Sequence, residues 1–312
     1  MKTSKLHLAP IVVVLCVILA LTVAAVAIAL LHSPAATLHT PDDAGYIPTS
    51  ATPYTFSVSA PQAFVYSATS NEILWIKGAS RVVYPASTTK LLTALYTLTV
   101  LSPDEIVTVG DEVALIDPAS SRAFISPGQA LTVEMLIEGM MLPSGNDAAY
   151  ALAAAAGRRI GGASLNAIDA VDTFLDGMNA YALTLGLCGT QFTTPDGLAA
   201  EQHYTTLEDI LLIAKAATEQ PLIMKYAALH EDNVTYHSGE TITWTNTNAL
   251  LDPDSPYYRP AVTGLKTGSL TGNYCLLCSY EQDGSTYIIG IFGAPTKTAR
   301  FADACAIIDA LH

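Results

Sequence analysis

Strand patterns stand at both ends of this chain with helical patterns between them, an order that a single sheet built from both ends satisfies. "AFVYS" (63–67) and "EILWIKGAS" (72–80) flank the turn-forming "ATSN" and read as a β-hairpin. Helical spacing then takes over in "LTVEMLIEGMML", with Thr132 as N-cap, and in the alanine-rich "DAAYALAAAAG" with a glycine at its end. Two more helices are expected over Ala167 to Gly186 and Thr205 to Thr218. Strand signals return in "ITWTNTN", "AVTGLKTGS", "NYCLLCSYE" and "TYIIGIFGA", and "KTARFADACAIIDALH" reads as a closing helix. The expected class is α/β (α+β): an antiparallel sheet flanked by helices, plus a mostly helical lobe. With 312 residues, 51% of them hydrophobic, the chain can bury a sizeable core.

The N-terminus obeys a different rule. "LAPIVVVLCVILALTVAAVAIALL", Leu8 to Leu31, holds no charged side chain and is long enough to span a bilayer as a helix. Lys2 and Lys5 precede it and the first charges after it are Asp42 and Asp43, so the positive-inside rule places everything beyond residue 32 outside the cytoplasm. A cleaved signal peptide is the alternative, although its apolar region usually runs only about 7 to 15 residues. The expected organisation is a cytoplasmic tip and transmembrane anchor at 1–32, a linker rich in Pro, Ala, Thr, Asp and Ser at 33–54, and a folded domain at 55–312.

Outside the membrane, disulfides are permitted. Cys188, Cys275, Cys278 and Cys305 show no framework spacing, and no spaced pairs complete a zinc site, so buried apolar cysteines are expected, with a disulfide of Cys188 or Cys305 as the alternative. The formal net charge of -14 argues against nucleic acid or an anionic lipid surface as the main partner. Basic groups gathered at one point would stand out in such a chain.

The chemistry-bearing motifs begin with "YPASTTKLLTAL", Tyr84 to Leu95. Ser87 and Lys90 sit one helical turn apart at the head of an apolar, helix-forming run, where hydroxyl and amine share a face. Taken alone, the pair reads as a chance match with Ser87 as an N-cap. Downstream, "LPSGNDA" places Ser144 and Asn146 in a turn between helices, and "GLKTGS" places Lys266 at the end of an expected strand. Alone, these read as an ordinary Asx-rich turn and a solvated strand end. In this order, S-x-x-K, S-x-N and K-T-G form the set found in penicillin-binding proteins and class A β-lactamases. No G-x-S-x-G elbow, H-E-x-x-H pair or phosphate-binding glycine loop competes with them, and His203, His230 and His237 are expected to be surface or capping residues.

Over about Ala63 to Leu311 the chain resembles the D-alanyl-D-alanine carboxypeptidases of the low-molecular-mass penicillin-binding proteins. "YPASTTK", "LPSGNDAA", "FTTPDGL", "NTNALL", "GLKTGSL" and "GIFGAPT" carry the resemblance. It implies a β-lactamase/transpeptidase-like fold in which 55–312 is the catalytic domain. The expected layout departs from the better-known members in lacking their C-terminal β-domain and amphipathic membrane anchor, and the N-terminal span is expected to replace that anchor. The implied activity is removal of the terminal D-alanine from peptidoglycan stem pentapeptides through an acyl-enzyme, with β-lactams as covalent inhibitors, neither metal nor cofactor, and an extracytoplasmic location.

The resemblance also implies roles. Ser87 is the acyl-ester nucleophile and Lys90 the general base, neutral through desolvation and a nearby positive charge for which Lys266 is the candidate. Ser144 relays the proton to the leaving nitrogen, and Asn146 orients Lys90 and the substrate amide. Lys266 and Thr267 bind the terminal carboxylate, Gly268 leaves room for the substrate backbone, and the backbone N–H groups of Ser87 and Ser269 form the oxyanion hole. Thr247 stands where some members carry an arginine between two asparagines, so carboxylate binding is expected to rest more on other groups. A β-lactamase of the same fold is the first rival, but no E-x-x-L-N segment lies between Asn146 and Lys266. A non-catalytic wall-binding or β-lactam-sensing module is the second, but no motif residue is lost.

Overall fold

In the computed structural model, which describes residues 54, 56–79, 81–198, 202–236 and 238–311, β1 (Gln62–Ser67) and β9 (Ser285–Ala294) pair antiparallel at the heart of a five-stranded sheet. That pairing joins the two ends of the described chain. β2 (Glu72–Lys77), β7 (Val262–Leu270) and β8 (Asn273–Gln282) complete the sheet in the order β2-β1-β9-β8-β7, all antiparallel, with β7 at one edge. The apolar segment at Leu8–Leu31 lies outside the described residues, as does nearly all of the expected linker. Among the described residues no helix is long and apolar enough to cross a membrane.

Both faces of the sheet are covered, which is why its central strands read as nearly continuous apolar runs. Alternate residues serve opposite cores: Phe64, Leu277, Ile288 and Phe292 face the helical lobe, whereas Val65, Leu276, Ile289 and Ile291 meet Phe301, Ile307 and Ile308 of the C-terminal helix. The helices in chain order are α1 (Lys90–Val100), α2 (Val133–Met141), α3 (Asn146–Gly161), α4 (Ala167–Thr184), α5 (Leu207–Thr218), α6 (Pro221–Ala227) and α7 (Ala299–Ala310). Side-chain caps start three of them: Thr132 accepts from Met135 N at 3.1 Å, Asn166 from Asp169 N at 3.0 Å and Thr206 from Asp209 N at 3.1 Å.

Three expectations need correction. The "ITWTNTN" strand, β6 (Thr241–Thr245), does not join the main sheet but pairs with β5 (Glu231–Thr235) in a separate two-stranded ribbon. Its partner "EDNVT" is polar enough to read as loop, and only Val234 of it is buried. Lys266 lies in the middle of β7 rather than at its end. Among the cysteines, Cys275, Cys278 and Cys305 are buried as expected, but Cys188 is exposed, and all four are free thiols. A further short pair, β3 (Ile106–Thr108) with β4 (Ala130–Thr132), carries too few residues to show a period.

Candidate active site

The segment Ala86–Thr89 is one turn of 3₁₀-helix that runs directly into α1. Ser87 is not a cap: neither Pro85 nor Thr89 makes a side-chain capping bond, and Thr88 Oγ1 instead donates to Pro85 O at 2.7 Å. Ala86 takes φ of +51°, a left-handed conformation that costs a residue with a Cβ roughly 1–2 kcal/mol. Two glycines hold the turn in place. A Cβ on Gly268 of β7 would lie 2.7 Å from Pro85 O, and one on Gly197 would lie 1.8 Å from Ala86 O. The space that Gly268 leaves is therefore filled by the protein itself rather than by a substrate backbone.

From the next turn Lys90, fully buried, brings Nζ to 2.8 Å from Ser87 Oγ, 2.7 Å from Asn146 Oδ1 and 3.0 Å from Asp196 O. Both Asn146 Oδ1 and the Asp196 carbonyl are acceptors only. A neutral amine has two hydrogens for them and one lone pair, which then faces the serine hydroxyl. Burial lowers the Lys90 pKa to about 8 against the upward pull of Asp196 and Asp147. The repulsion expected to act on Lys90 is felt by Lys266, which burial, then Lys90, then Arg300 hold well below the usual lysine range.

Asn146 opens α3, and Ser144, just ahead of it, has φ of +60°. The loop 117–129 fastens this turn: Ser121 Oγ donates to Ser144 O at 2.8 Å and Asn146 N to Ser121 O at 2.9 Å. Asp147 accepts from the backbone of Ala123 at 2.8 Å and Ile125 at 3.2 Å, and Trp244 Nε1 donates to Ala123 O at 2.9 Å, tying the ribbon to the same loop.

Ser87, Ser144 and Asn146 line one side of a cavity of about 610 Å³, and Thr267, Ser269, Thr247 and Arg300 line the other. Thr247 and Thr267 share a hydrogen bond between hydroxyls at 2.5 Å. Arg300, from the first turn of α7, donates to Gly268 O at 2.7 Å and Ser269 Oγ at 3.0 Å while its Nε has no partner among the described residues, and burial lowers its pKa to about 10. Lys266 is buried behind this wall, with one long contact to Thr267 O at 3.4 Å. Six of the eight site residues named from the sequence thus line the cavity or touch Ser87, Gly268 shapes the turn, and Lys266 lies behind it. The sequence reading missed Arg300, which follows "GAPTKTA" without a motif of its own; the clustering of cations in an acidic chain was its only trace.

It also misplaced His203. The ring is buried, stacks on Phe192 at 4.8 Å, accepts from Thr193 N at its Nδ1 (3.1 Å) and meets Thr89 Oγ1 at its Nε2 (2.9 Å). The Nδ1 contact assigns the ring proton to Nε2, which donates to Thr89. Burial lowers its pKa to about 4. His230 is half-buried, 3.9 Å from Asp252, and His237 lies outside the described residues.

Comparison with known proteins settles the family. The sequence profile of the D-alanyl-D-alanine carboxypeptidases, peptidase S11, matches residues 48–296. The chain belongs to this family. Within it, the D-alanyl-D-alanine carboxypeptidase DacF of Bacillus subtilis is 30% identical over 256 residues, which cover 80% of this chain and 61% of its own. A D-alanyl-D-alanine carboxypeptidase of Streptomyces is 35% identical over 248 residues, covering 76% of this chain and 81% of its own. The crystal structure of a Streptomyces DD-transpeptidase superposes with a TM-score of 0.72 at 29% identity, covering 81% of this chain and 97% of that one. Penicillin-binding protein D2 of Listeria monocytogenes, solved in its cefotaxime-bound form, gives 0.66 at 28% identity, with coverage of 82% and 98%.

Proposed function

We propose that the protein is a serine-type D-alanyl-D-alanine carboxypeptidase that removes the terminal D-alanine from peptidoglycan stem pentapeptides. The observation that carries the reading is Lys90 Nζ at 2.8 Å from Ser87 Oγ, 2.7 Å from Asn146 Oδ1 and 3.0 Å from Asp196 O. Neutral Lys90 takes the Ser87 proton as Oγ attacks the carbonyl between the two D-alanines. The backbone N–H groups of Ser87 and Ser269 receive the oxyanion, a contribution of about 10²–10³ in rate for each such donor. Ser144, across the cavity, relays the proton to the departing D-alanine nitrogen, and water attacking the ester then regenerates Ser87. Arg300 with the hydroxyls of Thr247, Thr267 and Ser269 faces the free carboxylate, and Lys266 adds positive potential from behind once that anion enters. Thr247, where some members of the family carry an arginine, leaves the main cation to Arg300. β-Lactams acylate Ser87 by the same attack. Their leaving nitrogen stays tethered, so the acyl-enzyme persists.

The apolar segment Leu8–Leu31 anchors this domain on the extracytoplasmic side of the cell membrane, where its substrate is. D-Alanine release from an N-acylated peptide ending in D-Ala-D-Ala tests the activity, with a fluorescent penicillin as the covalent probe. The wild type should release D-alanine and become labelled, and Ser87→Ala should do neither. The terminal amide should be about 10- to 100-fold poorer than the free acid, the worth of a charge-assisted contact of about 1.5–3 kcal/mol. Labelling of Ser87→Ala, or equal turnover of amide and acid, contradicts the assignment. A wild type that hydrolyses penicillin rapidly would be a β-lactamase instead.

A further inference from the structure

Beside Ser269 the catalytic cavity continues into a second groove of about 330 Å³, floored by Leu270, Thr271 and Tyr274 of the β7–β8 hairpin. Lys297, just before α7, borders both spaces, and Asp117 borders the groove from the opposite loop. We propose that this groove receives the side chain of the residue preceding D-Ala-D-Ala, and that it selects a side chain ending in both an ammonium and a carboxylate. The assignment rests on the carboxypeptidase reading, which fixes the direction of the peptide.

With the terminal carboxylate against Thr267 and Arg300 and the scissile carbonyl between Ser87 and the Ser269 N–H, the substrate runs along the free edge of β7 with its N-terminal part towards Leu270. A strand advances about 3.3 Å per residue. The residue before the acyl D-alanine therefore falls beside Leu270 and Thr271, at the mouth of the groove. Leu270 and Tyr274, both half-buried, offer apolar surface to a methylene chain.

The two charges at the rim are not paired with any opposite charge among the described residues. Lys297 is exposed and makes no hydrogen bond or ion pair with any described residue. Asp117 is also exposed; its Oδ1 accepts from Ala119 N at 2.7 Å and its Oδ2 has no bond to a described residue. Lysines and arginines number only 14 in a chain of net charge -14, and two of them, Lys297 and Arg300, line the one cavity. A cation and an anion flanking one apolar-floored groove match a side chain that carries the complementary pair.

Three N-acetyl tripeptides test this, each ending in D-Ala-D-Ala and starting with meso-diaminopimelate, with lysine, which lacks the side-chain carboxylate, or with 2-aminopimelate, which lacks the side-chain ammonium. In kcat/KM for D-alanine release the first should exceed each of the others by about three- to fivefold, the range of a partly exposed charge contact. Lys297→Met should erase the advantage over lysine and keep that over 2-aminopimelate, and Asp117→Asn should do the reverse. Each ratio is read within one variant, so it does not depend on how much of that variant is folded. Both advantages should shrink in 0.5 M salt as screening shortens to roughly 4 Å. Equal turnover of the three peptides by the wild type, or ratios that neither substitution moves, overturns the groove assignment while leaving the carboxypeptidase standing. No D-alanine release from any of them overturns the reading beneath it, and the groove with it.

Discussion

His203 is a titratable side chain kept neutral so that it can hold two others in place. Its Nδ1 must remain an acceptor for Thr193 N while Nε2 donates to Thr89, the residue before Lys90, so a second proton would break the first contact. Its folded pKa of about 4 lies below the unfolded value of about 6.5, so between these limits the unfolded chain binds more protons. Stability attributable to His203 is therefore complete above pH 6.5 and falls as pH drops through 4, by about 3 kcal/mol in all. In His203→Gln, where the amide can accept and donate in the same directions without titrating, this loss should vanish. From pH 7 to 4 the urea midpoint of the wild type should therefore fall relative to that of the variant. Glu138, whose burial raises its pKa to about 8, cancels in that comparison because it is present in both. Parallel curves would remove His203 from this role. Ser87 with Lys90, and Ser144 with Asn146, were legible because each pair lies within one turn of chain. His203 and Thr89 are 114 residues apart, and the carbonyl of Asp196 that holds Lys90 is 106 away and has no side-chain signature at all.

At the scale of elements, the site is a turn gripped between a strand and a loop. β7 reaches the Ala86–Thr89 turn through Gly268, and the 193–198 loop reaches it through Gly197, each at a separation that leaves no room for a methyl group. Gly268→Ala should fold, because the φ there is not left-handed and the sheet register is set elsewhere. It should nevertheless push the serine turn off β7 and cost about 10²-fold in penicillin acylation, the usual penalty for a displacement near 1 Å. Circular dichroism checks the fold and stopped-flow labelling the rate; wild-type acylation by a folded Gly268→Ala would show that the turn tolerates the shift. Periodicity revealed the long helices and the sheet strands because each buries one stripe or both faces. It did not reveal the Glu231–Thr235 strand or the short Ile106–Thr108 pair, whose residues are mostly exposed, and it placed "ITWTNTN" in the wrong sheet because alternation reports a strand and not its neighbour.

On the scale of the whole molecule, the sheet draws strands from both ends of the described chain, so β7 and the serine turn after β2 come together only when the domain is complete. A protein starting near Ala51 keeps β1 and all that follows, and should be soluble and label with penicillin at the full-length rate; aggregation of that protein, with labelling only in the full-length chain, would make the Leu8–Leu31 segment part of the fold. On the proposed mechanism the site turns on one local event, the transfer of a proton from Ser87 to Lys90, whose neutral form burial makes easier to reach. The rate of penicillin acylation from pH 5 to 10, for the wild type and for Lys90→Arg, reads that event directly. The wild-type rate should rise through an ionisation near the Lys90 pKa of about 8 and then level. Lys90→Arg keeps a positive charge that cannot be removed in this range, so it should fold, by circular dichroism, and acylate at no pH. A folded Lys90→Arg protein that acylates at the wild-type rate, or a wild-type rate that does not change between pH 6 and 9, would contradict the account.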